Sequence, residues 1–216
     1  MVVRVWQQAS KAKSIARVIV ATDDDRIAAP VRAAGGDAML TSPGHESGTD
    51  RIAEVASKVV ADIYLGVQGD QPFIAPADLD ALAAAMRSDA SIQMATLGTP
   101  IVDQVEWTDP NKVKVVCGAD GNALYFSRSP IPYARDGGMP TEALRHIGVY
   151  AYRRDFLLKF AALGMGVLER IEKLEQLRAL EHGYRIKVVK SVAPSMEVDT
   201  ADDLARARAA ASESAR

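Results

Sequence analysis

Asp70 and Asp199 are the residues whose type and position best suit metal chemistry. Asp70 closes Gln68-Gly69-Asp70, directly after the apolar run Asp62-Ile-Tyr-Leu-Gly-Val67. In open α/β sheets ligands gather beyond the carboxyl ends of strands. Gly69 removes side-chain bulk there, and a carboxylate offers the hard oxygen that Mg²⁺ takes together with phosphates and water. The same aspartate also suits a turn that caps the helix after Pro72. Asp199 lies in Glu197-Val-Asp-Thr-Ala-Asp-Asp-Leu204. Asp199 or Thr200 equally suits the N-cap of the last helix. Two carboxylates at strand ends, far apart in sequence, can share one metal ion.

The loop Pro43-Gly-His-Glu-Ser-Gly-Thr-Asp-Arg51 is rich in small and polar residues and opens a helix near Gly48-Thr49. Helix N-termini bind anions through free N–H groups and the helix dipole, and Arg51 adds a positive charge. The loop is no P-loop, because G-x-x-x-x-G-K-[ST] is absent; an ordinary capped loop is the alternative. Arg145-His146 precedes a strand expected over Ile147–Tyr152, and Arg128 follows Tyr125-Phe-Ser127. Cations and a histidine at strand ends suit a carboxylate ligand. Surface ion pairs and a satisfied histidine are the competing reading. Glu169, Glu172, Glu175 and Gln176 share one helical stretch. Glu172 meets Gln176 at a spacing of four and Glu175 at three, which by itself describes a solvated face. Trp6, Trp107 and the methionines read as packing.

These residues need a scaffold, and the periodicity supplies one. Helical spacing runs over Val2–Lys13, Asp25–Ala34 (closed by Gly35-Gly36), Thr49–Val60 and Ala75–Met86. Between these helices lie apolar runs at Arg17–Ala21, Asp37–Leu40 and Asp62–Val67. Strands alternating with helices predict a mostly parallel sheet covered on both faces. The pattern then changes. Ile92–Leu97, Lys112–Val116, Leu124–Ser127, Ile147–Tyr152 and Ile186–Val189 read as strands, with a hairpin turn at Asp120-Gly121. Ser129–Thr141 reads as a loop, and Phe156–Ala162, Glu169–Gly183 and Asp202–Ala211 as helices. One α/β domain over 1–216, with antiparallel additions in its second half, is the expected architecture.

Composition narrows the function. The chain has 216 residues, with 26 Lys+Arg against 28 Asp+Glu, a net charge of −2 and a pI of about 6.0. That balance gives no electrostatic case for a nucleic-acid or membrane-surface binder. A single cysteine, Cys117, excludes an internal disulfide framework. His45, His146 and His182 show no metal-binding spacing. No apolar run approaches the ~20 residues of a membrane span, and no secretory signal is visible. An enzyme of a reducing compartment, the cytoplasm, is expected.

Taken in order, the motifs resemble the CMP-KDO synthetases (3-deoxy-manno-octulosonate cytidylyltransferases). The strings that carry the resemblance are Val18-Ile-Val-Ala-Thr-Asp23, His45-Glu-Ser-Gly-Thr-Asp-Arg51, Val67-Gln-Gly-Asp-Gln-Pro72 and Asn111-Lys-Val-Lys-Val-Val116. They continue with Ala123-Leu-Tyr-Phe-Ser-Arg-Ser-Pro-Ile-Pro132, Arg145-His-Ile-Gly-Val-Tyr150, Leu174-Glu-Gln-Leu-Arg178 and Val198-Asp-Thr200. The resemblance implies a Rossmann-like nucleotide-diphospho-sugar transferase fold and a homodimer. It implies transfer of CMP from CTP to KDO for lipopolysaccharide biosynthesis, with Mg²⁺ as cofactor. Asp70 and Asp199 would hold the metal. Ser47, Gly48, Thr49, Arg51 and Gln68 would contact the nucleotide, and Arg128, His146, Tyr150, Glu175 and Gln176 the sugar acid.

The chain departs from the family pattern in three places. Gln71 stands where the family usually has Glu, removing a negative charge beside the metal site. Glu197 stands where a glycine is common and is expected to crowd it. Family members also begin with a strand and a loop reading roughly Ile-Pro-Ala-Arg-x-x-Ser-x-Arg-x-Pro-Gly-Lys, whereas Met1-Val-Val-Arg-Val matches the helix after that loop. About 30 residues, a strand, a loop and a second short strand at common element lengths, are therefore expected to be missing, and with them cations for the triphosphate. A related sugar-acid cytidylyltransferase and a truncated, non-catalytic ligand-binding or partner subunit are the alternatives.

Overall fold

The computed structural model describes residues 1–193, 196–198 and 200–213. Its first half follows the periodicity: α1 (Val2–Ala9), β1 (Ile19–Thr22), α2 (Asp25–Ala33), β2 (Asp37–Leu40), α3 (Gly48–Lys58), β3 (Ile63–Gly66) and α4 (Pro76–Ser88). Asp24 caps α2 by accepting from the Arg26 N–H, and Pro76 occupies the first turn of α4. The second half holds β4 (Met94–Pro100), α5 (Gln104–Thr108), β5 (Lys114–Cys117), β6 (Ala123–Ser127) and β7 (Leu144–Arg153). It closes with α6 (Arg154–Ala161), α7 (Val167–Glu172), α8 (Leu177–Glu181), β8 (Ile186–Lys190) and α9 (Ala201–Glu213).

β7 organises the main sheet. β4 runs antiparallel along one edge of β7, while β5 at Leu144–Arg145 and β3 at Tyr150–Arg153 share the other. β8 joins β4 in parallel and β6 joins β5 antiparallel. β3, β4, β5 and β8 therefore point one way, and β6 and β7 the other. This is the mostly parallel sheet with antiparallel additions that the sequence predicts. β1 and β2 form a separate parallel pair.

Strand alternation sorts β7 into two faces. Ile147, Val149 and Ala151 pack with Ala95 and Leu97 of β4 against Leu79, Leu82 and Met86 of α4. Tyr152 faces the other layer, with Phe126, Phe156, Leu157, Phe160 and Leu177. α3 crosses this layer closely: a β-carbon on Gly66 would come within 2.6 Å of Ile52 Cδ1. Glycine at 66 thus lets α3 pack through Ile52 against the end of β3. Among the described residues no helix is long and apolar enough to cross a membrane.

Three expectations are corrected. The single helix expected over Glu169–Gly183 is two helices, broken at Lys173, which is left-handed at φ 55°. The Arg128 Nε–H donates to the Glu172 carbonyl and ends α7, and the turn buries both Leu174 and Leu177. Glu172 and Gln176 therefore do not share one helical face. β7 begins at Leu144, so Arg145 and His146 lie inside the strand, held by β5 and by the bond from the His146 N–H to the Val113 carbonyl. The first helix ends at Ala9 rather than Lys13. α5 was not legible in the sequence; Asp103 caps it, and it buries Trp107 against Ile101 and Ala143.

Asp78, fully buried in the first turn of α4, accepts from the Ser191 hydroxyl and the Val192 N–H at 2.7 Å each. It ties the chain leaving β8 to a helix N-terminus. Asp78→Ala is expected to cost about 2–3 kcal/mol of unfolding free energy, since it removes a buried carboxylate that accepts two hydrogen bonds from partly buried donors. Urea titration reads this as a lower midpoint at unchanged slope; a loss under about 0.5 kcal/mol would mean that the contact carries no stability.

Candidate active site

The loop into α3 is built by a reciprocal cap. The Asp50 N–H donates to Ser47 Oγ and the Ser47 N–H to the Asp50 carboxylate, both at 3.1 Å. The N–H groups of Gly48 and Thr49 remain in the first turn, where no helical acceptor reaches them. A β-carbon on Gly48 would meet nothing within 4 Å, so the approach is open. The loop is held from below by Glu54, which accepts from Lys58 Nζ (2.5 Å) and the Ser42 N–H (2.8 Å), with His45 Nε2 at 2.5 Å. These bonds, that from Lys58 foremost, lower the Glu54 carboxyl to about 2. Arg51 turns toward β1 and β2: it donates to Thr41 Oγ1 at 2.6 Å and lies 3.4 Å from Asp23.

Thr49 looks the other way. Its hydroxyl donates to Glu175 Oε2 at 2.6 Å. The bond fastens the open helix turn to the α7–α8 turn. Glu169 and Arg178 hold that turn from behind in a nearly buried pair at 2.6 and 2.8 Å, and the Arg178 guanidinium lies 3.8 Å from Glu175. Glu175 Oε1 and Gln176 Nε2 are buried with no hydrogen-bond partner among the described residues. Buried polar atoms are normally satisfied; Glu175 Oε1 is compensated by the Arg178 guanidinium 3.8 Å away, though not hydrogen-bonded to it.

On β7, His146, Gly148 and Tyr150 share the face that carries Tyr152. The Thr96 hydroxyl donates to the Val149 carbonyl (2.9 Å), so its oxygen accepts from the Nε2–H of His146, also at 2.9 Å. Burial first, and Arg145 second, lower His146 to about 3, which keeps the ring neutral. Tyr150 stacks obliquely on His146 with ring centres 5.4 Å apart. Its phenol is raised far above the ordinary value by burial, helped by Tyr152, Glu175 and Glu197. Arg145 alternates to the opposite face and pairs with Glu106 at 3.0 Å.

Arg128 follows Phe126, whose ring meets His146 edge-on at 5.1 Å. Its guanidinium donates to the Glu172 carbonyl (2.8 Å) and the Pro110 carbonyl (3.0 Å), not to a carboxylate. Its charge is thus positioned by neutral acceptors. Beneath it, buried Lys114 donates to the carbonyls of Arg128 (2.6 Å) and Asp109 (2.8 Å), and burial lowers its pKa. Lys114 carries no role in the sequence reading; a lone charge in Val113-Lys-Val-Val116 was its signal.

Gln68, Gly69 and Asp70 follow β3. Gln68 and Gly69 are exposed, Asp70 is half-buried, and a β-carbon on Gly69 would meet nothing within 4 Å. The Val198 N–H donates to the Asp70 carbonyl at 3.0 Å. Asp199 lies outside the described residues. Thr200 supplies the cap of α9 through its hydroxyl and the Asp203 N–H at 3.1 Å. Among the described residues no group of three or more His, Cys, Asp and Glu gathers around one point. One hard carboxylate on an open, glycine-flanked turn is nonetheless the donor set that suits Mg²⁺, which leaves most of its sites to phosphates and water.

A strand end, an open helix turn and a polar cluster on a central strand are what this fold brings forward. The fold itself is similar to that of a 4-diphosphocytidyl-2C-methyl-D-erythritol synthase from Anaerococcus prevotii, with a TM-score of 0.66 at 15% identity over 98% of this chain and 89% of that one. The family model for cytidylyltransferases matches residues 1–187. A 3-deoxy-manno-octulosonate cytidylyltransferase of Syntrophotalea carbinolica is 48% identical over 97% of this chain and 87% of the relative. One from Geobacter metallireducens is 50% identical over 94% and 84%. A CMP:2-keto-3-deoxy-manno-octonic acid synthetase solved with CTP superposes with a TM-score of 0.93, at 43% identity over 99% of this chain and 88% of that one. The chain belongs to the cytidylyltransferases and, within them, to the 3-deoxy-manno-octulosonate branch.

His146 gives a pH signature. Its ordinary value is 6.5 and its folded value about 3, so between these the unfolded chain binds the extra proton. The stability that this residue contributes is therefore complete above pH 6.5 and is lost as the pH falls toward 3. His146→Gln is expected to lose less stability than the parent between pH 7 and pH 4 in denaturant titrations. Parallel losses would show that His146 does not titrate in this way.

Proposed function

We propose that the chain transfers the CMP group of CTP to 3-deoxy-manno-octulosonate, releasing pyrophosphate. The observation that carries this reading is the convergence of three things at the end of β3: the Asp70 turn, the open first turn of α3, and the cluster of His146, Tyr150, Glu175 and Gln176. The membership in this branch supports the choice of substrates.

In the reaction the sugar 2-hydroxyl loses its proton to water, its oxygen bonds to the α-phosphorus, and the bond to the bridging oxygen breaks so that pyrophosphate leaves. Positioning and charge neutralisation lower such a barrier more than covalent help does. The N–H groups of Gly48 and Thr49 point at phosphate oxygens, and Ser47, Arg51 and Gln68 hold the rest of the nucleotide. The Arg128 cation receives the sugar carboxylate. Glu175 Oε1 accepts from, and Gln176 Nε2 donates to, sugar hydroxyls, which satisfies both. His146 and Tyr150, both uncharged, shape the pocket and offer neutral hydrogen bonds. Asp70 and Asp199 would hold Mg²⁺, and the bound ion would supply charge neutralisation for the phosphates and the departing pyrophosphate. Homodimerisation, action in the cytoplasm and supply of the product to lipopolysaccharide biosynthesis belong to the same reading.

Pyrophosphate release is expected only with CTP, KDO and Mg²⁺ together, and Asp70→Asn is expected to reduce it at least about 100-fold. Release with a sialic-type acid in place of KDO, or full activity of Asp70→Asn, would overturn the reading. Thr49→Val is expected to raise the KM for the sugar acid about tenfold, the worth of one hydrogen bond to a charged group, with a smaller change in kcat. An unchanged KM would show that Thr49 does not set Glu175.

A further inference from the structure

Gln71 and Glu197 are 126 residues apart in the chain, yet Gln71 Nε2 donates to Glu197 Oε1 at 3.3 Å. Gln71 is only 1% exposed. Its main chain is fixed at both ends, by bonds from its N–H to the Gln68 carbonyl (3.3 Å) and from the Ile74 N–H to its own carbonyl (3.2 Å). Its amide lies over β7, 3.9 Å from where a Gly148 β-carbon would stand, between His146 and Tyr150. One residue on each side of this contact, the Val198 N–H bonds to the Asp70 carbonyl at 3.0 Å. The segment that leads into Asp199 is thus joined to the Asp70 turn by one main-chain bond and one side-chain bond. These are also the two positions read above as a lost charge and a crowding residue. The structure brings them together, so the carboxylate at 197 takes up the amide at 71.

We propose that Gln71 and Glu197 are a positioning pair that fastens segment 196–198 to the Asp70 turn and so sets how the two metal-bearing parts of the chain approach each other. The inference rests on the metal reading given under Proposed function. What the pair requires is one amide donor and one carboxylate acceptor at this contact. Two carboxylates here would repel at short range in a site poor in water and push the segment off the turn. Partners that hold a metal ligand in place are typically worth about 10–100-fold in metal affinity.

The test uses the full chain with CTP and Mn²⁺ as probe, reading Mn²⁺ binding by electron paramagnetic resonance and, separately, the metal concentration for half-maximal pyrophosphate release. Gln71→Glu is expected to weaken Mn²⁺ binding about 10–100-fold. The exchange Gln71→Glu with Glu197→Gln restores one donor and one acceptor, and is expected to return binding to within about threefold of the parent. Binding unchanged or tightened by Gln71→Glu, or an exchange variant as weak as the single one, overturns the pair. Should Gln71→Glu not fold, Gln71→Met decides: it removes both polar ends at similar volume and must weaken Mn²⁺ at least about tenfold for the pair to stand. Asp70→Asn is the control. If it keeps its Mn²⁺ affinity, the metal reading itself falls; if it loses affinity while position 71 is indifferent, only the pair falls.

Discussion

β7 is the strand from which the rest of the molecule hangs, and its alternation is the controlling constraint. Ile147, Val149 and Ala151 give one face to the core with α4, which fixes the strand in the sheet. His146, Gly148, Tyr150 and Tyr152 must then lie on the other face. A one-residue slip would exchange the two sets, burying the polar side in the apolar core and exposing the core to water. Because β3, β4 and β5 all pair with β7, that register also decides where the Asp70 turn emerges and where Arg128 ends its strand. The site inherits its geometry from a packing decision made on the opposite face.

The second requirement is to keep charge inside this face without leaving it unpaired. Glu169 and Arg178 satisfy each other in a fork, and the Arg178 guanidinium also lies 5.3 Å from the Phe160 ring centre. Lys114 spends its ammonium on two main-chain carbonyls. Each of these groups sits one layer behind a side chain assigned to substrate. Removing one partner would leave the other buried and uncompensated, which costs far more than the pair gains. The pairs therefore serve mainly to hold Glu175 and Arg128 at fixed positions.

Much of this was legible in the sequence, for identifiable reasons. The apolar run ending at Val67 announces a strand end at Asp70, and the small, polar run Pro43–Arg51 announces a helix start near Gly48-Thr49, because both signals are local. The break at Lys173 was not legible. Glu169–Gly183 has helical spacing throughout, and what interrupts it is an arginine from position 128, distant in sequence. Glu169 read as part of a solvated face because only the fold shows that Arg178 neutralises it. α5 is five residues long, too short for periodicity to register. The contact between Gln71 and Glu197 was visible only as two separate departures from a family pattern.

The unsatisfied atoms bear on why the site is built as it is. Gln71 Oε1, Glu175 Oε1 and Gln176 Nε2 are buried without hydrogen-bond partners among the described residues. Each such atom costs about 1–3 kcal/mol, and a domain is stable by only about 5–15 kcal/mol in all. Three of them are a large fraction of that margin. Apolar side chains of similar volume at these positions would fold more stably. Under the proposed function a polyol acid would supply the missing donors and acceptors, and a substrate lacking one of its hydroxyls would leave a buried polar atom unpaired, which would be a source of selectivity.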